Sequence, residues 1–222
     1  MKNILIETFT PADRGGSMEF KFNQILLNSL LKRFKLEDIS PPQDLKGKDS
    51  FSKDSLTKIK HYKDEKIGKI ELSETLPSGF VNNHHGVIYP ADGYDFPIFD
   101  FMFSLIDKSL IALIELHPLR KDEGYLEKYV FPMRKLHQNA LQMLDPMPYS
   151  FSWIRGFSSG YGFFSETSET HLPEIESTFK RYLELWVRYV KEAIPIVDKE
   201  IKHSALRAKE RFSTLYFERF FL

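Results

Sequence analysis

The chain contains no cysteine, which removes disulfides, thiolate catalysis and Cys-ligated zinc or iron–sulfur centres together. It has no apolar run approaching the roughly 18 residues of a membrane-spanning helix. Residues 1–16, MKNILIETFTPADRGG, lack the long apolar segment of a secretory signal. An excess of one charge is missing too. The 31 basic and 31 acidic residues cancel, so no global field draws the chain to nucleic acid or an anionic membrane. These absences make the cytoplasm the expected compartment. Neither G-x-G-x-x-G nor G-x-x-x-x-G-K occurs, and Gly15-Gly16 and Gly160-Tyr161-Gly162 are too sparse to cradle a phosphate. H-E-x-x-H and G-x-S-x-G are likewise absent. An enzyme with this inventory works through acid–base side chains on a bound substrate, or borrows reactivity from a partner.

What is present is a core-forming composition. The 222 residues are 42% apolar and 28% charged, which suits one domain over residues 1–222. Twenty Phe and ten Tyr make its interior aromatic-rich. From Glu19 to Lys35 the residues Phe22, Ile25, Leu26, Leu30 and Phe34 recur near helical spacing and predict an amphipathic helix. Ser40-Pro41-Pro42 closes that region, because the residue before a proline is pushed out of the helical basin. Asp44–Lys69 carries eight Lys and five acids and reads as a solvated connection with room for an edge strand. Strands are predicted at Lys69–Thr75, Phe80–Tyr89, Phe96–Ile106, Ser109–His117, Tyr149–Phe157 and Tyr161–Glu166, all rich in aromatic and β-branched residues. The Asp107-Lys108 and Ser158-Ser159-Gly160 links are hairpin-sized, which makes the strands they join antiparallel. A helical piece from Gly124 to Met143 interrupts the strands. Two helices close the chain, the first opened by Pro173 and ended by Pro195, the second carrying Ile201, Ala205, Ala208, Phe212, Leu215 and Phe220. The fold class is therefore α+β, an antiparallel sheet covered by helices.

Chemistry concentrates between Val81 and Leu119, where His84, His85, Asp100, Glu115 and His117 stand among large aromatics. Alternation puts Asp100, Met102 and Ser104 on one face of their strand, with Phe99, Phe101 and Phe103 on the other. Glu115 and His117 also share a face. An ionisable group in such a strand either points to solvent or is buried, where desolvation shifts its pKa towards neutrality and suits it to proton transfer. His84 and His85 must point oppositely, so at most one faces a pocket, and no metal-ligand spacing is present.

This stretch resembles the ferredoxin-dependent bilin reductases and red chlorophyll catabolite reductase. The likeness rests on His85, Tyr89, Pro90, Tyr94, Pro97 and Phe99 in the spacing H-x-x-x-Y-P-x-x-x-Y-x-x-P-x-F. It is joined by IALIELHPLRKDEGYLEKY and FSWIRGFS downstream and KLEDISPPQDL upstream. The resemblance implies a three-layer α/β/α sandwich that binds no permanent cofactor. It also implies reduction of a linear tetrapyrrole by single electrons from ferredoxin, with protons from pocket side chains. On that basis His85, Glu71 and Asp100 are the expected catalytic residues. Met102, Glu115, His117 and, from the last helix, His203 are expected to contact substrate. One departure is pointed: the superfamily's carboxylic acid falls on Met102, which cannot donate a proton. Asp100 projects from the same face about 6–7 Å along the strand. The Lys-rich segment Lys46–Lys69, or Lys199–Arg211, is the expected basic surface for an acidic electron donor. Two alternatives stay open: a non-catalytic tetrapyrrole carrier of the same fold, and an unrelated interaction domain whose Y-P…F-P-x-F run is only packing. The reductase and carrier readings require a cleft between the sheet and the C-terminal helices.

Overall fold

The computed structural model describes residues 20–40, 57–75, 81–144, 147 and 155–220. Seven strands form one sheet in which every neighbour in space is also the neighbour in sequence, all antiparallel: β1 (Glu37–Asp38), β2 (Thr57–Lys63), β3 (Ile67–Thr75), β4 (Val81–Pro90), β5 (Ile98–Ile106), β6 (Ser109–His117) and β7 (Phe163–Ser168). Short links suffice for such a meander. The tightest, Asp107-Lys108, places Asp107 at φ 54°, a left-handed conformation that Asp tolerates better than most residues.

Helices cover both faces, unequally. On one face lie α1 (Phe22–Leu31), α3 (Met133–Met143) and α4 (Leu172–Glu192), packed over Phe99, Phe101 and Phe103. Phe179 of α4 stands 5.0–5.9 Å, centroid to centroid, from each of these three rings. The Trp186 indole donates to the Pro97 carbonyl at 2.9 Å. Between β6 and α3, the short α2 (Glu123–Tyr125) runs into a single π turn at Leu126–Val130. The opposite face carries α5 (Lys199–Phe220), which buries Ala205, Phe212 and Tyr216 on Val87, Tyr89 and Ile98. The result is the α/β/α sandwich, with the α5 layer much the thinner.

Local chemistry explains the helix ends. Pro173 sits in the first turn of α4, where its missing N–H costs nothing. At the other end Lys66 Nζ donates to the carbonyls of Val190, Lys191 and Ala193, a cation satisfying the orphan acceptors of a helix C-terminus. Asp198 caps α5, accepting from the amides of Glu200 and Ile201.

Two sequence expectations change. The connection expected over Asp44–Lys69 is sheet from Thr57 onward: β2 pairs with β3 along six residues, Thr57 to Tyr62, and β3 starts at Ile67. Its Lys and His side chains had masked a strand with few apolar positions. Residues 44–56 of that segment lie outside the described residues. So do residues 149–154 of the strand expected at Tyr149–Phe157, whose remaining residues are helical at Arg155 and a turn at Gly156 and Phe157, not strand.

Candidate functional site

Directly opposed residues on antiparallel strands share a face, so the register locates every ionisable group. Three transverse rows run across the α5 face. Glu71, Val87, Asp100 and Glu115 form the central row; Ser73, His85, Met102 and Leu113 form the next. His117, opposite Ile98, belongs to the third. His85, Asp100, Glu115 and His117 therefore meet on one surface. His84 points the other way, buried under α1 beside Phe20 and 3.9 Å from Glu74, as the alternation requires.

Asp100 is the hub. It is 1% exposed. Its Oδ2 lies 3.0 Å from His117 Nε2, and its Oδ1 lies 3.6 Å from His85 Nε2 without accepting a hydrogen bond. His117 is fixed from its other side, because Nδ1 lies 3.2 Å from the Phe157 carbonyl. A carbonyl only accepts, so Nδ1 carries hydrogen and Nε2 is the nitrogen presented to Asp100. Burial disfavours charge on this ring, but the hydrogen bond and negative charge of Asp100, helped by Glu115 and the Phe157 carbonyl, raise its pKa above the ordinary value. His85 moves the opposite way: burial lowers its pKa, and the charges of Asp100 and Glu71 offset that only in part. Two imidazoles on one carboxylate thus have opposed proton affinities, which is how acid and base roles separate.

Glu115 is wholly buried and accepts hydrogen bonds from Ser158 Oγ and Ser159 Oγ, both at 2.6 Å, and from its neighbour's amide, Leu116 N, at 2.9 Å. It anchors the turn that presents the Phe157 carbonyl. Glu71 shares the central row, but its carboxylate turns to Lys69 Nζ at 2.6 Å and His61 Nε2 at 3.6 Å. Met102 stands opposite His85, half-buried. His203 is exposed on α5, and the structure does not bring it to the cluster.

Sequence reasoning missed several participants. The Tyr216 ring stacks on His85 at 5.3 Å and 16°, and Phe212 lies 4.5 Å from His117 and 5.4 Å from Phe157. The Ser73 hydroxyl is 3.5 Å from His85 Nδ1. Phe212 was visible as an apolar position of the last helix. Tyr216 could have been found four residues on, one turn along the same stripe. The cleft expected between the sheet and α5 is filled by these rings, because the apolar stripe of α5 buries itself on the sheet. Among the described residues no three His, Asp or Glu side chains are grouped to hold a metal ion.

A meander sheet between helical layers, with a buried imidazole–carboxylate–imidazole cluster under its thinner layer, defines an α/β/α sandwich with an ionisable centre beneath one face. The profile of the ferredoxin-dependent bilin reductases matches residues 24–218, and the chain belongs to that family of oxidoreductases. It is 26% identical over 196 residues to the 15,16-dihydrobiliverdin:ferredoxin oxidoreductase of Nostoc punctiforme, covering 86% of this chain and 80% of the relative. To the enzyme of the same name from Gloeobacter violaceus it is 24% identical over 195 residues, again covering 86% and 80%. Its fold matches tomato phytochromobilin synthase, solved in complex with biliverdin, with a TM-score of 0.80 at 21% identity, covering 90% of this chain and 73% of that one. Among the described residues no helix is long and apolar enough to cross a membrane.

Proposed function

We propose that this protein reduces a linear tetrapyrrole with single electrons from ferredoxin, and that His85 and Asp100 donate the accompanying protons. The observation that carries this reading is the buried carboxylate Asp100, set between two imidazoles on the α5 face of a bilin reductase fold. Each two-electron reduction adds two electrons from ferredoxin and two protons to the tetrapyrrole. The electrons come from the partner, so the chain needs only to bind, to exclude water and to supply acid groups. Asp100 Oδ1 has no hydrogen bond to give up and sits on the side of His85, the more accessible of the two imidazoles, whose side chain is 12% exposed.

The substrate lies, in this proposal, between the sheet and α5, displacing Tyr216 and Phe212 from the imidazoles. The attachment of α5 supports this. Residues 193–198 before it have no regular structure. Its sheet contact is a narrow apolar stripe, supplemented by the ion pair of Lys209 with Asp92. Flat aromatic rings leaving a flat surface make room for a flat conjugated ligand.

Mixing the protein with biliverdin is expected to change the pigment's visible and near-infrared absorption, and reduced ferredoxin is then expected to bleach or shift that band. Asp100→Asn should bind the pigment and slow its reduction by about 100-fold or more. Binding that persists without reduction under every donor would leave a carrier, the reading that Met102 at the superfamily's acid position favours. No binding at all would overturn both.

A further inference from the structure

Resting on the reductase reading above, we infer that His117 is a positioning residue that acts through Asp100, storing the proton that recharges it, and does not touch the substrate. The geometry requires this division of labour. His117 is 1% exposed and lies beneath Phe212, with both ring nitrogens engaged by protein. Nδ1–H belongs to the Phe157 carbonyl, so the 3.0 Å gap between Nε2 and Asp100 Oδ2 must hold one proton. Without it, two lone pairs would face each other at hydrogen-bond distance inside the protein. The pair therefore carries a mobile proton, on nitrogen as imidazolium–carboxylate or on oxygen as imidazole–carboxylic acid.

The groups around it favour the charged form. Asp100 faces His117 from β5, Glu115 lies beside it on β6, and the Phe157 carbonyl closes the far side. From β4 come His85 and Tyr89; α5 contributes the apolar Phe212 and the phenol of Tyr216, with Arg211 set over the Phe157 ring, 5.6 Å from its centroid. The two carboxylates, Asp100 and Glu115, together with the Phe157 carbonyl, raise the proton affinity of the ring.

The step balances simply. The Nε2 proton of His117 moves to Oδ2 of the Asp100 carboxylate, the carboxyl group turns to present that hydrogen on the side of His85, and it passes to the reduced tetrapyrrole, leaving the Asp100 carboxylate and a neutral imidazole. Solvent restores the lost proton between turnovers through His85, which borders Asp100 Oδ1. Glu115, held by Ser158 and Ser159, keeps the Phe157 turn in place so that the His117 tautomer is set before substrate arrives.

Nitrogen-15 NMR of histidine-labelled full-length protein tests this without substrate, with the ring assigned from its contact with Phe212. Both nitrogens of His117 should be protonated at pH 7, and Asp100→Asn should return the ring to the neutral form. A neutral His117 in the unsubstituted protein, or one indifferent to Asp100→Asn, overturns the inference. The second arm follows single-turnover reduction of biliverdin by reduced ferredoxin. His117→Gln can hydrogen-bond in the same place but stores no proton. It should leave the biliverdin Kd unchanged and slow reduction about 10-fold at pH 8, with the deficit shrinking towards pH 6. A weakened Kd with an unaltered pH profile would make His117 a ligand contact or mere packing and overturn the inference. If the unsubstituted protein neither binds nor reduces biliverdin, the reductase reading fails, and the nitrogen spectra alone decide the state of His117.

Discussion

Gly86 offers a sharp test of how the sheet positions His85. It lies on β4, opposite Leu72 and Phe101, and its missing side chain is where the Phe101 ring packs. A Cβ at residue 86 would stand 2.4 Å from Cε1 and 2.5 Å from Cζ of that ring, and 2.7 Å from Cδ2 of Leu72. Carbon atoms in comfortable contact are about 3.5–4.0 Å apart, so room is lacking by roughly 1 Å on two sides. Phe101 cannot retreat: it is fully buried, with Phe99, Phe103 and Phe179 at 5.0–5.9 Å. Overpacking of this kind costs about 1–3 kcal/mol, against a gain of about 0.4–1 kcal/mol from stiffening the unfolded chain. Gly86→Ala should therefore lose about 1–2 kcal/mol in urea unfolding followed by tryptophan fluorescence, for which the buried Trp186 is a core reporter. Phe101→Leu in the Gly86→Ala background should recover part of the loss. Because His85 is the preceding residue, the displaced strand should also slow any reduction that depends on the 3.6 Å approach of His85 to Asp100. A Gly86→Ala variant as stable as its parent would refute the packing argument.

Three further outcomes can be measured directly. Burial lowers the His84 pKa to about 4, while the unfolded chain titrates near 6.5, so stability from this group is present above that unfolded value and is lost as pH falls towards the folded one. The full effect is of order 3 kcal/mol. Glu74, whose pKa burial raises, contributes the opposite slope, so the check is the difference between parent and His84→Gln, which should unfold with a flatter acid limb. Glu115→Gln removes an acceptor from the Ser158–Ser159 turn and should cost about 1–3 kcal/mol, with faster amide exchange at Tyr161, whose N–H bonds the Ser159 hydroxyl; unchanged exchange there would separate the turn from Glu115. On α5, Lys202→Glu with Arg207→Glu reverses two charges on the outer side of the helix. It should slow ferredoxin-driven reduction at low ionic strength and converge with the parent at high salt; equal rates at low salt would place the donor elsewhere.

How much of this was legible in the sequence depends on how far each signal travels along the chain. β6 matches its expected bounds, Ser109–His117, and β5 shows the alternation that separates Asp100 from Phe99 and Phe101, because a period of two is a local property. The opposed directions of His84 and His85 follow from the same rule. β2 is legible only as an edge strand without bounds inside a solvated connection, because its apolar residues are few: Ile59 and Tyr62 stand among Lys58, Lys60 and Lys63, and pairing with β3 fixes the strand. The grip of Ser158 and Ser159 on Glu115 joins residues 43 and 44 positions apart, and no spacing rule reaches across that distance. Phe212 reads as an ordinary core position of a helix and the sequence does not single out Tyr216 at all, and only the docking of α5 shows which imidazole each one covers.

The position of the acid explains why this cluster has three members. Met102 stands directly opposite His85, whereas Asp100 stands opposite Val87 and Glu115. A carboxylate at residue 102 would face one imidazole across the sheet. Two residues earlier on the same face, it reaches His85 on one strand and His117 on the other, diagonally in each case, which is within the range of cross-strand neighbours. On the proposed reading the displacement exchanges a pair for a triad, and places the carboxyl group where it is 1% exposed and in reach of the proton held at His117. Methionine at the vacated position is consistent with that exchange: unbranched and polarizable, it fills space beside His85 without competing for its proton. Met102→Asp combined with Asp100→Asn should move the carboxylate back, uncouple His117 and return its ring to the neutral form at pH 7, while reduction of biliverdin recovers relative to Asp100→Asn alone. Recovery of reduction with His117 still protonated would show that the imidazolium does not depend on a carboxylate at residue 100.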